Sequence, residues 1–216
     1  MNSAETTFAL EADDRRAVQG TVDPLVRLRF AYADPPYLGC GKLYAQHHEQ
    51  ALEWDDPTRH RQLIEQLQDE SPDGWALSMS VPSMRVLLPM LPQHARLLAW
   101  VKPFAAFKKN VNPASAWEPV ALVGGRKRTD DNTYMRDWVA ESIALKKGLT
   151  GAKPKRFCFW VFDAANLQPG DQLIDLFPGT GIVTEAWNEY CTDYERCASQ
   201  INRVSTKWEQ GKGVMR

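Results

Sequence analysis

Short runs of apolar residues alternate along this chain with longer segments in which apolar positions recur every three or four residues. The first pattern predicts buried strands and the second predicts amphipathic helices. A strand is expected over Leu28–Ala33. A helix opens at Asp56-Pro57-Thr58, carries Leu63, Ile64 and Leu67 on one stripe to about Glu70, and is broken by Ser71-Pro72-Asp73-Gly74. Next come a strand over Trp75–Ser80, a short helix over Ser83–Leu88 ended by Pro89 and Pro92, and strands over Arg96–Lys102 and Glu118–Val123, the last closed by Gly124-Gly125. Lys153-Pro154 starts a helix with Phe157, Trp160, Val161 and Ala164 at helical spacing, up to Asn166. After the turn Pro169-Gly170-Asp171, a strand over Gln172–Phe177 runs into Pro178-Gly179-Thr180-Gly181 and a helix over Ile182–Tyr190. The alternation predicts an α/β sheet with helices on both faces.

The ends of the chain do not share this pattern. Residues 1–23 have few large apolar side chains and read as a flexible arm, and 191–216 read as a polar helical tail; the domain occupies 24–190. With 216 residues and 44% apolar content, the chain suffices for one well-cored domain. No apolar run approaches the roughly 18 residues of a membrane span, and the polar N-terminus lacks a signal-peptide pattern, so a soluble cytoplasmic protein is expected. Cys40, Cys158, Cys191 and Cys197 lack the spacing of a zinc site or a disulfide framework. His47 and His48 are adjacent, point to different faces of any regular element and have no evident third ligand, so surface histidines are the better reading and no metal is expected.

Charge changes the picture. The net value of −1 hides a basic centre, since residues 102–156 carry 12 Lys and Arg against 5 Asp and Glu. Lys108, Lys109, Arg126, Lys127, Arg128 and Arg136 are interspersed there with Phe104, Phe107, Trp117, Tyr134 and Trp138. Cations hold phosphates and aromatic faces stack on bases, so these six cations are candidate nucleic-acid contacts. A solvated helix face beside ordinary core aromatics gives the same composition.

Two loops carry candidate chemistry. Asp34-Pro35-Pro36-Tyr37 follows the first strand, placing an acid, a stiff backbone rich in acceptors and an aromatic ring within four residues. Such a cluster suits a planar amino group that donates hydrogen bonds while its ring is stacked. The second is the junction at Gly179 and Gly181, where strand, glycine turn and helix let a ligand approach backbone N–H groups closely.

In this order, Asp34-Pro35-Pro36-Tyr37 and Asp175-Leu176-Phe177-Pro178-Gly179-Thr180-Gly181 resemble the motifs of the amino-group DNA methyltransferases of the β class. Lys153-Pro154 is similar to that family's KP segment, and Trp117-Glu118-Pro119 to its W/Y-E-P strand. The resemblance implies a Rossmann-like methyltransferase sheet, S-adenosylmethionine as methyl donor, and DNA as substrate, with RNA as an alternative. It implies that Asp34 and the Pro35 carbonyl accept from the target amino group, with Pro36 shaping the loop and Tyr37 stacking on the extruded base. Lys153, Pro154, Asp175, Phe177, Pro178, Gly179, Thr180 and Gly181 are implied to line the cofactor. Asp34 at the first motif position leans towards adenine N6 over cytosine N4. In the family, the helix after the glycines leads to a strand ending in a ribose-binding acid. No such strand follows here, which predicts a sheet lacking part of its cofactor side, with Glu185, Glu189 and Asp193 as candidate acids and a homodimer as one way to complete the site. A degenerate, non-catalytic nucleic-acid-binding subunit is the alternative function.

Overall fold

The computed structural model describes residues 27–46, 49–104, 111–128, 134–143 and 152–194. The expected arm over 1–23, His47, His48, Lys108, Lys109 and the tail beyond 194 lie outside the described residues.

Six strands form one sheet: β1 Arg29–Ala33, β2 Gly74–Ser78, β3 Arg96–Val101, β4 Trp117–Gly124, β5 Trp138–Ala140 and β6 Gln172–Asp175, in the order β5-β3-β4-β2-β1-β6. β1 is parallel to β2 and β6, β3 is parallel to β5, and β4 runs antiparallel between β2 and β3. Five strands therefore point the same way, and their C-terminal ends share one edge of the sheet. Open sheets of this kind bind ligands outside that edge.

Both faces of β1 and β2 are covered, as their apolar runs predict. Phe30 and Tyr32 of β1 face α3 (Lys155–Ala164) and a fourth helix, α4, described over 182–194, whose Phe157, Trp160, Val161, Val183 and Ala186 complete that core. Ala31 and Ala33 face the other way, where Leu63, Ile64 and Leu67 of α1 (Pro57–Glu70) pack with Trp75 and Leu77. The short α2 (Met84–Leu87) lies on this second face. α1 starts as its sequence predicts, since the Asp56 side chain accepts from the Thr58 N–H at 2.8 Å and Pro57 occupies the first turn. Gly74 opens β2 because a Cβ there would stand 2.5 Å from the Gly125 nitrogen.

Two elements differ from the pattern. β5 is too short, at three residues, to show period-2 alternation. α4 continues past Tyr190 to residue 194, and among the described residues no strand pairs with the outer edge of β6. Among the described residues, no helix is long and apolar enough to cross a membrane.

Candidate active site

The pairing of β1 with β6 brings together two loops far apart in sequence. Tyr32 stands beside Asp175 in the ladder, so Asp34, two residues beyond Tyr32, and Phe177, two beyond Asp175, leave the sheet side by side. β2 and β4 complete the floor, with the Tyr32 hydroxyl 2.8 Å from Ser78 Oγ.

Around Asp34 lies a compact charged cluster. The Lys153 ammonium is 2.9 Å from Asp34 Oδ1 and 3.4 Å from Glu118 Oε2, and it donates to the Tyr37 hydroxyl at 3.0 Å. That hydroxyl lies 3.1 Å from Asp34 Oδ1 and 2.9 Å from Glu118 Oε2. With one proton, it donates to one carboxylate at a time and so couples the two. Lys102 pairs with the other oxygen of Glu118. Two cations thus balance two carboxylates in a partly closed space, as buried charge requires.

Their proton affinities follow from this arrangement. Burial raises the Asp34 carboxyl above its usual range, and the neighbouring Lys153 only partly offsets it. Burial also opposes ionisation of Glu118, but Lys153 and Lys102 outweigh it and hold that carboxyl below its usual value. Desolvation disfavours the Lys153 ammonium, yet Asp34 and Glu118 overcome this and keep it protonated. Lys153 is only 4% exposed, whereas Asp34 retains 22% exposure and can be reached from solvent.

The glycine turn has a different character. Burial raises the Asp175 pKa to about 6, and its Oδ2 is buried with no hydrogen-bond partner. Its other oxygen accepts from the Phe177 N–H at 3.3 Å. Gly179 and Gly181 adopt φ of 45° and 75°, and a Cβ at Gly181 would meet nothing within 4 Å, so open space lies beside that turn at the start of α4. Phe177 packs edge-on against Trp54 at 5.1 Å between ring centroids, tying the turn to the segment that follows the Asp34–Tyr37 loop. An orphaned acceptor beside an open glycine turn and a helix start fits a ligand that brings its own donor.

The remaining expected residues occupy several different places. Arg126, Lys127 and Arg128 follow β4 at the opposite edge of the sheet, since Gly124 is level with Gly74 and Phe30, about 13 Å along the strands from Asp34. Arg126 pairs with Asp171, buried in the turn before β6, at 2.7 Å, and Arg128 donates to the Asp163 carbonyl near the end of α3, so both are engaged away from the Asp34–Tyr37 loop. Arg136 stacks over Trp138, 5.1 Å from its ring centroid. Lys153 reaches into the Asp34 cluster, whereas it was expected along the cofactor, and Pro154 caps α3 beside it. Glu185 and Glu189 are both engaged by Lys155, at 2.8 and 2.6 Å, and Asp193 is exposed.

Glu118 and Lys102 were not among the predicted site residues. A charged residue opening an otherwise apolar strand, as Glu118 opens Pro119–Val123, was the available signal. Its partners are set by strand pairing, which places it beside Trp100 of β3 and near the end of β2. Among the described residues, no three His, Cys, Asp or Glu side chains form a metal-binding group.

No known protein family matches the chain, and no curated protein is significantly similar to it. Solved structures similar in backbone course include the M1.HpyAVI–SAM complex, with a TM-score of 0.48 and 16% identity over 76% of this chain and 80% of that one. M1.HpyAVI itself is similar at a TM-score of 0.46 and 14% identity, over 76% and 78%.

Proposed function

We propose that this protein is an S-adenosylmethionine-dependent methyltransferase acting on an exocyclic amino group of a DNA base, adenine N6 first. The observation that carries the reading is the β1–β6 pairing, which sets the Asp34–Tyr37 loop beside the open glycine turn at Gly179–Gly181. When bound, S-adenosylmethionine supplies an electrophilic methyl group on a sulfonium centre. Asp175, Gly179, Thr180 and Gly181 would hold it, with the free Asp175 oxygen suited to an ammonium donor.

The amine is activated by acceptors alone. Its lone pair is delocalised into the base ring, so it is a poor nucleophile. Asp34 and the Pro35 carbonyl, accepting hydrogen bonds from its two N–H groups, favour a pyramidal nitrogen and disperse the positive charge that develops on it, and the one surplus proton leaves through Asp34 to solvent. Burial makes Asp34 a stronger acceptor than a solvated carboxylate. Lys153 and Glu118 fix its orientation. A base within a duplex must leave the stack, at a cost of roughly a few kcal/mol, to reach this loop.

The test is incubation with duplex DNA and isotopically labelled S-adenosylmethionine, followed by mass analysis of the nucleosides. Labelled N6-methyladenine is expected. Label in N4-methylcytosine, or only with RNA, would move the assignment to those substrates. Cofactor binding without any transfer would favour a degenerate subunit.

Asp175 also carries a pH prediction. Its pKa in the folded protein lies above that of the unfolded chain, so its contribution to stability is complete below about pH 4 and is lost as pH rises through about 6. Ligand binding through its carboxylate runs oppositely and weakens below pH 6. Asp175→Asn is therefore expected to raise the melting temperature at pH 7 while weakening S-adenosylmethionine binding and flattening its pH profile. Calorimetric titration from pH 5 to 8 checks this; an unchanged profile would count against an ionised Asp175 in the site.

A further inference from the structure

The helices on the α1 side of the sheet pack over β1 and β2 and leave β3, β5 and the start of β4 open. There Leu97, Ala99 and Val101 of β3, Trp117 and Pro119 of β4, and Trp138 of β5 line a groove of about 660 Å³. It is separate from the Asp34 cluster. Leu97, Trp117 and Trp138 are 42%, 38% and 42% exposed, unusually open for side chains this large.

The ladder sets the two indoles. Trp117 stands opposite Val101 and Trp138 opposite Ala99, so they flank β3 with their Cα atoms on the order of 12 Å apart. The small Ala99 and the Val101 side chain form a low floor between them. A guanidinium, that of Arg136, lies over Trp138. The Asp137 carbonyl accepts from the Ala99 N–H at 2.9 Å and so fixes the start of β5 beside β3.

Charge decides between occupants. A second copy of the chain seated here would desolvate the Arg136 guanidinium against an apolar face. A nucleic-acid strand offers it a phosphate and offers the indoles ring faces, the pairing by which aromatic sheet surfaces hold unpaired bases. The groove is continuous in the chain with the reacting loop, since Trp117 is followed by Glu118, which meets the Tyr37 hydroxyl.

We infer that the Trp117–Trp138 groove is a stacking platform for unpaired bases of the nucleic-acid strand that carries the target base. This rests on the methyltransferase reading and deepens it, because it gives the strand beside the extruded base a place to lie.

The experiment compares binding of the full chain to a fluorescein-labelled single-stranded oligonucleotide and to the same oligonucleotide made abasic at consecutive positions, by anisotropy. Methyl transfer to duplex DNA is measured in parallel. Trp117→Ala and Trp138→Ala should each weaken binding of the normal strand about tenfold, as loss of a base–aromatic stack does. Trp138→Phe should stay within about threefold. Base removal should weaken the parent but scarcely affect the double alanine variant. Equal affinity of parent and double variant, with methyl transfer intact in both, would overturn the platform and leave the enzymatic reading standing. Loss of self-association in the double variant, at unchanged oligonucleotide affinity, would reassign the face to a contact between copies. A parent that neither binds nor methylates nucleic acid would remove both.

Discussion

Asp34→Ala will lower methyl transfer to DNA by about a thousandfold or more while leaving S-adenosylmethionine affinity within about threefold of the parent. The size of the loss follows from the dual part proposed for Asp34, which accepts from the amine and stabilises the charge that grows on it. The selectivity follows from position. Asp34 and the glycine turn follow neighbouring strands, but the acceptor proposed for the cofactor is Asp175, whose carboxylate remains. The charge cluster tolerates the change, because Lys153 keeps Glu118 as a partner at 3.4 Å. Asp34→Asn keeps one acceptor oxygen and should retain more activity than the alanine variant. Single-turnover rates and calorimetric titration with S-adenosylmethionine separate the two effects. An alanine variant that transfers at the parent rate would place the chemistry elsewhere.

Lys153→Met should destabilise the fold by about 3–5 kcal/mol at neutral pH, a fall in melting temperature on the order of 10 °C. The ammonium is nearly sealed from solvent and is the group that joins Asp34, Glu118 and Tyr37. Without it, two carboxylates share a low-dielectric space with Lys102 alone. In the parent, Glu118 ionises below its usual range, so its contribution is present above the unfolded pKa and lost as pH falls through the folded one. In the variant both carboxyls should titrate above their unfolded values, which reverses the direction. Their protonated forms then favour folding in acid, and that support is lost as pH rises. The deficit relative to the parent should therefore be greatest near pH 7 and shrink towards pH 4, and Asp34→Asn in the same chain should restore part of it. Thermal melts across that range check the prediction, and a deficit that does not change with pH would contradict it.

Much of the fold was legible because it depends on local chemistry. Asp56-Pro57-Thr58 caps a helix wherever it occurs, and Phe30, Tyr32, Ala31 and Ala33 alternate as a strand with two buried faces must. The Gln172 strand ends earlier than expected, at Asp175, because the Phe177 N–H turns back to the Asp175 carboxylate instead of joining the ladder with β1. β5 escaped notice, since three residues paired on one side carry no periodic signal and the segment reads as a basic, aromatic stretch.

The candidate site divides in the same way. Asp34-Pro35-Pro36-Tyr37 and the Gly179–Gly181 turn were visible because stiff, acceptor-rich and glycine-rich stretches announce themselves without knowledge of their neighbours. Lys153 was visible, but its destination was not. A lysine at a helix start is equally plausible in solvent, and only the packing of Phe157 against Tyr32 and Trp100 draws the start of α3 down onto Asp34. Arg126, Lys127 and Arg128 show the converse. A run of cations reads as a phosphate surface wherever it lies, and only the antiparallel course of β4 sets these at the far edge of the sheet, where Asp171 holds the first of them.

By itself, the sequence determined the alternation of strands and helices, the two candidate loops and the basic excess in the centre of the chain. Those depend on backbone stereochemistry, hydrophobic periodicity and residue type, each expressed over a few neighbouring positions. Strand order and direction were decided only in the tertiary structure, and through them the partners of Asp34, the open acceptor of Asp175 and the pair of indoles beside β3. Which strands pair is set by how whole faces bury against α1, α3 and α4, a balance struck over the entire chain that no short stretch encodes.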